Sequence, residues 1–150
     1  MNLEADISDI ELKQRWRLYW IHCIFEFSHA KLQYMSWIQG SNAEWTTDEG
    51  WLSSFEECNA SYFDNLALDD NYIKAIACGN VSKEEALRAN TFHQRVYLYI
   101  EPSENPEEIL KDPEWLEITS HAKEFWNYLK RTVVSQRERD VIQSLEKEFC

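Results

Sequence analysis

Glycine and proline are scarce in this chain, with only three of each among 150 residues. Turns that require a positive φ are therefore few, and an all-β sandwich or barrel needs many such turns, so the sequence disfavours both architectures. Cys-x-x-Cys pairs are missing, and we expect free thiols in a reducing compartment at Cys23, Cys58, Cys78 and Cys150. The sequence also lacks an uncharged apolar run long enough for a signal peptide or a membrane span. This predicts a cytoplasmic protein with no membrane partner.

Basic residues are few relative to acidic ones. Lys and Arg total 15 against 27 Asp and Glu, and the net charge is −12. A surface of this charge repels phosphate backbones, so nucleic acid is not an expected partner. A basic protein would instead be attracted and steered toward the chain, which makes it the expected class of partner.

Motifs that support catalysis or hold a cofactor are lacking. Gly40, Gly50 and Gly79 are too far apart to form a loop that cradles phosphate. The His-Glu-x-x-His motif is absent, and no Ser-His-Asp or Cys-His arrangement can be assigned. The sequence therefore predicts no enzyme activity and no cofactor.

What the chain does contain is helix signals and apolar material for a core, with 44% hydrophobic and 14% aromatic residues. Ser8 and Glu11 are spaced as a capping box, and nothing interrupts helical sequence from there to Gly40. One long helix is therefore predicted over residues 8–39. Apolar residues cover most of its circumference, which is typical of a helix at the centre of a bundle.

Later helices are predicted in five segments: 48–58, 60–68, 69–79, 82–100 and 113–133. A loop is predicted over 102–112, with one helical turn fitting after Pro106. A last helix begins near Ser135 and either stands alone or continues the preceding one. Residues 1–150 are thus predicted to form a single all-α domain, a bundle of about six or seven helices around the long buried N-terminal helix.

A polar stripe follows the long helix and comprises Glu11, Arg15, His22, Glu26, His29, Gln33 and Ser36. His22, Glu26 and His29 have i, i+4, i+7 spacing, and Glu-x-x-His is the spacing of carboxylate-bridged metal sites. Such a site also needs ligands from facing helices, and the sequence offers no second Glu-x-x-His. We interpret the stripe as solvated surface and keep His22, Glu26 and His29 as a weak candidate metal site.

The 82–100 helix carries one apolar face, formed by Ala86, Ala89, His93, Val96, Tyr97 and Ile100. His93 lies midway across this face. We predict that it is a buried neutral histidine with one hydrogen-bonded nitrogen rather than a catalytic group.

The acidic residues are concentrated in two runs. The first acidic run, residues 44–70, has no Lys or Arg and is interleaved with aromatic residues. The second acidic run, residues 101–117, has seven acids and Lys111 as its one basic residue. Carboxylates steer a basic partner, and exposed aromatic rings anchor it. The predicted partner-binding residues are Glu44, Trp45, Asp48, Glu49, Trp51, Glu56, Glu57, Asp64, Asp69 and Asp70.

The anchor expected at the centre of this surface is Trp45, Trp51 or Tyr62. Trp45 is favoured because it lies in a polar connection between helices, where a large ring has no obvious core to fill. The other tryptophans, especially those of the long helix, are expected in the core.

A small, acidic, helical, aromatic-rich chain without catalytic motifs resembles immunity proteins, which are bacterial inhibitors of toxins. The resemblance implies an inhibitor that binds a basic, nuclease-type cognate toxin and occludes its cationic site. Three alternatives remain open at this point. They are a phage-encoded DNA mimic that inhibits a host defence nuclease, a helical metalloenzyme using His22, Glu26 and His29, and an adaptor or assembly subunit.

Overall fold

The computed structural model describes residues 8–38, 53–69 and 71–149. Within these residues the chain forms no strand, which confirms the all-α fold class. None of the described helices is long and apolar enough to cross a membrane. The described residues form eight α-helices: α1 Asp9–Ser28, α2 Ala30–Gln33, α3 Phe55–Ala60, α4 Ile73–Ala77, α5 Lys83–Leu98, α6 Pro106–Lys111, α7 Pro113–Thr132 and α8 Gln136–Phe149.

Side-chain caps fix where several of these helices begin. The Ser8 hydroxyl accepts the Glu11 backbone N–H at 3.0 Å, and Ser82 and Glu85 form a reciprocal capping box at the start of α5. Asp112 caps α7, with Pro113 at its first position. These starts were predicted from sequence because the cap and its partner lie within three residues of each other.

The predicted single helix over residues 8–39 is wrong, because α1 ends at Ser28. His29 adopts an extended conformation (φ −124°, ψ 100°), and α2 then continues into a π-helical turn, Tyr34–Ile38. In a continuous helix the Phe25 carbonyl would accept a hydrogen bond from the His29 backbone N–H. Here it accepts from the Ser28 hydroxyl and the His29 ring instead. The Gln33 side-chain amide caps two further carbonyls of the last turn, those of Glu26 and Phe27.

The core is built around the second half of α1, which confirms the prediction of a central N-terminal helix. Trp20, Phe25 and Phe27 of α1 are fully buried. The Phe25 ring meets Trp126 of α7 at 5.0 Å between centroids, and Phe27 meets Trp115 at 6.2 Å. Each fully buried side chain of this kind contributes about 1.5–3 kcal/mol.

The later part of the chain departs from expectation in two places. Tyr97 and Ile100 of the apolar face assigned to residues 82–100 are exposed, whereas Phe92 is fully buried. Ile100 leaves the face because α5 ends at Leu98, whereas Tyr97 lies within α5 at the edge of the buried face. The last two helices are separate, because residues 133–135 are not helical.

Residues 55–65 form one short helical unit rather than parts of two helices. α3 runs directly into a π-helical turn, Ser61–Asn65. The segment predicted from Asp69 to Gly79 contains α4, and Gly79 follows it with φ +82°, a conformation that glycine adopts without strain.

Candidate interaction surface

Four of the predicted partner-binding residues lie within the described chain, and all four are exposed. Glu56 and Glu57 occupy the first turn of α3, where the Ser54 hydroxyl accepts the Glu57 N–H at 3.1 Å. Asp64 lies in the adjoining π-helical turn, and Asp69 follows it. The others, Glu44, Trp45, Asp48, Glu49, Trp51 and Asp70, lie outside the described residues.

These four carboxylates have no ion-pair partner among the described residues. All 15 Lys and Arg residues of the chain fall in the described ranges, so every basic side chain can be accounted for. Seven of them pair with acids elsewhere: Lys13, Arg15, Arg17, Arg88, Arg95, Lys130 and Arg137. The charges of these four described carboxylates are therefore not neutralised within the described part of the chain.

The second acidic run is similarly uncompensated. Glu117 is its one member in an ion pair with a Lys or Arg in the described chain, at 2.9 Å from Arg95. Asp112 caps α7 and accepts a hydrogen bond from the Tyr99 hydroxyl at 2.7 Å. The remaining acids are exposed without such a pair: Glu101, Glu104, Glu107, Glu108 and Glu114.

The fold brings the two acidic runs to one aromatic cluster. The Phe55 ring at the start of α3 lies 5.9 Å from the Tyr99 ring and 5.4 Å from the Trp115 ring, between centroids. Glu56 follows Phe55, Glu101 lies two residues after Tyr99, and Glu114 precedes Trp115. Glu56 of the first run and Glu101 and Glu114 of the second therefore lie beside one cluster of rings, a proximity that depends on tertiary packing.

Three large apolar side chains lie exposed between the two runs. Tyr97, Leu98 and Ile100 are 58%, 70% and 84% exposed. The Tyr97 ring contacts Phe63 of the π-helical turn at 5.8 Å, which places it near Asp64, while Ile100 directly precedes Glu101. Sequence analysis missed this apolar patch because it assigned Tyr97 and Ile100 to the buried face.

Tyr62 is not an anchor for a partner, contrary to the prediction, because it is fully buried. Its hydroxyl lies 2.5 Å from the Tyr72 hydroxyl and 2.6 Å from His93 Nδ1, and the Trp20 indole N–H donates to Tyr72 at 3.0 Å. Burial lowers the pKa of His93 to about 4. His93 is thus a buried, hydrogen-bonded core residue, as predicted.

The polar stripe of the first helix is not solvated surface beyond His22. Glu26, His29, Gln33 and Ser36 are all buried, and the chain after the helix break packs against α7. Gln33 shows the contact directly: its side-chain oxygen accepts the Trp115 indole N–H at 3.0 Å. Sequence periodicity predicts a polar face but not whether another helix covers it.

The metal-site candidates are divided between two grooves. His22 and Glu26 line a groove of about 330 Å³, while His29 lines another. The Glu26 carboxylate accepts the Trp37 indole N–H at 2.8 Å. Within residues 8–38, 53–69 and 71–149, no group of three or more His, Cys, Asp or Glu side chains is arranged to hold a metal ion.

The buried cysteines are poor nucleophiles. Cys23 and Cys58 are buried free thiols, and Cys78 is an exposed one. Burial, reinforced by the charge of Glu26, raises the pKa of both buried thiols well above the ordinary range. Since the thiolate is the reactive form, neither residue is prepared for covalent chemistry.

No protein-family model matches the chain, and neither a curated protein nor a solved structure was found to match it. The functional argument therefore rests on the surface chemistry of the described residues.

Proposed function

We propose that this protein is an inhibitor that binds a basic protein through its acidic end, and specifically a bacterial immunity protein for a nuclease-type toxin. Binding would occur in the cytoplasm and would involve no catalysis by the chain. The observation that carries the proposal concerns the described residues of both acidic runs: nine of their carboxylates are exposed and make no ion pair with a Lys or Arg there.

Uncompensated acids at one end of a domain destabilise it through self-repulsion. Here the repulsion could have been relieved internally, since eight of the 15 basic residues make no ion pair within the described chain. The carboxylates are instead directed to solvent. This arrangement favours a role in recognising positive charge on another molecule.

The exposed apolar patch would supply slow dissociation of the complex, which charge alone does not provide. Carboxylates mainly accelerate association, whereas buried aromatic and aliphatic contacts at the centre of an interface slow dissociation. Tyr97, Leu98 and Ile100 lie between the two runs and are free to be covered by a partner. An apolar centre with an acidic rim is complementary to a nuclease cleft, where basic residues surround the substrate-binding floor.

Inhibition would follow from occlusion. The Asp and Glu side chains would take the positions that phosphates occupy on the toxin and would pair with its Lys and Arg residues. A DNA or RNA substrate would then be excluded by both charge and volume. No chemical step by this chain is required.

The test is the association rate with the partner captured from the source organism, measured by stopped-flow fluorescence at low and high salt. A Glu56→Gln, Glu57→Gln, Asp64→Asn, Asp69→Asn variant removes four exposed acids. We expect its association to be slower by about tenfold or more at low salt, with a smaller difference at high salt.

The matched control is Glu148→Gln, which removes one exposed acid of α8 outside both runs. It should leave the association rate within about twofold of wild type. Nuclease activity of the captured partner should be lost at one equivalent of inhibitor. A salt-independent association rate, or a partner with no surplus of basic residues, would overturn the proposal.

A further inference from the structure

A groove of about 510 Å³ opens where the break between α1 and α2 faces α7. This volume lies in the range of small-molecule sites, about 300–1,000 Å³. Leu116, which is 47% exposed, supplies apolar wall, and the exposed Ser120 supplies a hydroxyl, whereas Phe149 lines the groove but is almost completely buried. Two lysines, Lys31 and Lys123, also line it. No acid of either acidic run lines the groove.

The unusual feature of this groove is the hydrogen bond of Lys123. Its Nζ lies 2.9 Å from Nε2 of His29, and no carboxylate of the described chain lies within ion-pair distance of it. Glu124 lines the same groove but pairs with neither lysine. Lys123 is only partly exposed, so its ammonium is partly desolvated without a counter-charge.

His29 cannot supply that counter-charge because it is neutral. The Ser28 hydroxyl donates to the Phe25 carbonyl at 3.0 Å, so its oxygen is left to accept the His29 Nδ1–H at 2.7 Å. Nε2 then carries the lone pair that accepts from Lys123. Burial, together with the charge of Lys123, lowers the pKa of His29 to about 4.

His29 therefore acts as an orienting group for Lys123. It occupies one of the three ammonium protons and leaves two for a ligand in the groove. A ligand with one negative charge matches this ammonium, and the apolar walls favour a ligand whose remaining part is apolar. Inorganic phosphate fits less well, since it would bring more charge and no apolar surface.

We propose that this groove binds a small-molecule carboxylate carried on an apolar body, with the carboxylate on Lys123 and the apolar body against Leu116. The class includes medium-chain fatty acids. The site is independent of the acidic end of the molecule, so it stands or falls separately from the proposed inhibitor function.

The probe is sodium octanoate, titrated by calorimetry below its micelle concentration, with octan-1-ol as the ligand of matched tail and no charge. We expect saturable binding of one octanoate per chain and binding of octanol that is weaker by about tenfold or more. Equal affinity for the two ligands, or no saturable binding of octanoate, would overturn the proposal.

Lys123→Met removes the ammonium and keeps the length of the side chain. It should weaken octanoate binding by about tenfold or more. Lys74→Met, an exposed lysine of α4 outside the groove, should leave the affinity unchanged. Octanoate binding that is the same in wild type and Lys123→Met would contradict the proposal.

A second variant covers the case in which Lys123→Met fails to fold, which thermal unfolding would reveal. Ser120→Trp places an indole in the groove from an exposed position on α7 and retains the Lys123–His29 bond. It should abolish octanoate binding while leaving the melting temperature close to that of wild type. Undiminished binding to Ser120→Trp would locate octanoate elsewhere and overturn the assignment.

Discussion

Arg17 holds Glu138 in a bidentate ion pair that joins α1 to α8. The guanidinium Nε lies 3.1 Å from both carboxylate oxygens, and Nη2 lies 2.9 Å from Oε1. The same guanidinium binds both oxygens of Glu85 at the start of α5, at 3.0 and 2.9 Å. Arg17 therefore connects three helices that are distant in sequence, and all three charges are largely buried.

Glu138→Gln should destabilise the protein by about 2 kcal/mol, because it replaces a charge-assisted pair with a neutral contact and leaves the guanidinium less well compensated. Urea unfolding followed by tryptophan fluorescence measures the change. Glu148→Gln, an exposed position on the same helix, should change the free energy of unfolding by no more than about 0.5 kcal/mol. Equal effects of the two substitutions would mean that the buried pair adds nothing.

Gln33→Met should lower the free energy of unfolding by about 3 kcal/mol. The Gln33 amide donates to the carbonyls of Glu26 and Phe27, and its oxygen accepts the Trp115 indole N–H. Methionine has a similar length but leaves these three buried groups without their partner. The measurement is again urea unfolding, with Gln94→Met on the exposed face of α5 as the control. A loss below about 1 kcal/mol would show that the break is stabilised by other contacts.

Stability should fall as the pH is lowered from about 6.5 to about 4. His93 and His29 have folded-state pKa values of about 4, below the unfolded value, because burial disfavours the imidazolium. The unfolded state therefore binds more protons in this window. The stabilisation from the two neutral histidines is fully present above the unfolded-state pKa and is lost as the pH approaches 4. Each histidine contributes at most about 3 kcal/mol to this change in the free energy of unfolding.

His93→Gln tests the assignment of this effect. Glutamine can still accept the Tyr62 hydroxyl but does not titrate, so the free energy of unfolding should vary less between pH 7 and pH 4.5 than in wild type. Burial acts to raise the pKa of Glu85, but hydrogen bonds to Arg17 outweigh it and the pKa is lowered in the fold. This carboxyl contributes equally to the pH dependence of wild type and His93→Gln. His121→Gln is the comparison variant. Parallel pH profiles for wild type and His93→Gln would contradict the prediction.

Leu98→Ser and Ile100→Ser should leave the fold intact, since both side chains are mostly exposed, with changes within about 0.5 kcal/mol. If the apolar patch is the centre of the interface, each substitution should speed dissociation of the basic partner by about tenfold while changing the association rate little. Leu87→Ser, an exposed apolar position near the other end of α5, is the control. Unchanged dissociation in both patch variants would remove the patch from the interface.

The parts of the fold that were predictable from sequence are those decided by near neighbours. The Ser82–Glu85 capping box and the Asp112–Pro113 start depend on residues no more than three apart. The break at His29 was not predictable, because Gln33 must reach back to α1 while α7 supplies Trp115. The same contact with α7 buries a stripe that looks solvated in the sequence.

The candidate surface likewise combines features that are visible in the sequence with features that depend on tertiary contacts. The absence of basic residues around Glu56 and Asp64 is visible in the sequence, and the structure shows that no basic residue from elsewhere in the described chain reaches them. The convergence of the two acidic runs on Phe55, Tyr99 and Trp115 depends on tertiary packing. The exposure of Ile100 depends on where α5 ends, which is the least predictable property of a helix.

The hydrogen bonds that run from Trp20 through Tyr72 and Tyr62 end at His93 and so couple a ring of α1 to a ring of α5. The Trp20 indole can only donate, and its N–H occupies one of the two acceptor positions of the Tyr72 oxygen. The Tyr62 hydroxyl lies between the Tyr72 hydroxyl and His93 Nδ1, so whichever tyrosine donates to the other also decides whether Nδ1 accepts from Tyr62 or donates to it. Trp20→Phe removes the indole donor and should therefore shift the balance between the Nδ1 and Nε2 tautomers of a histidine on another helix.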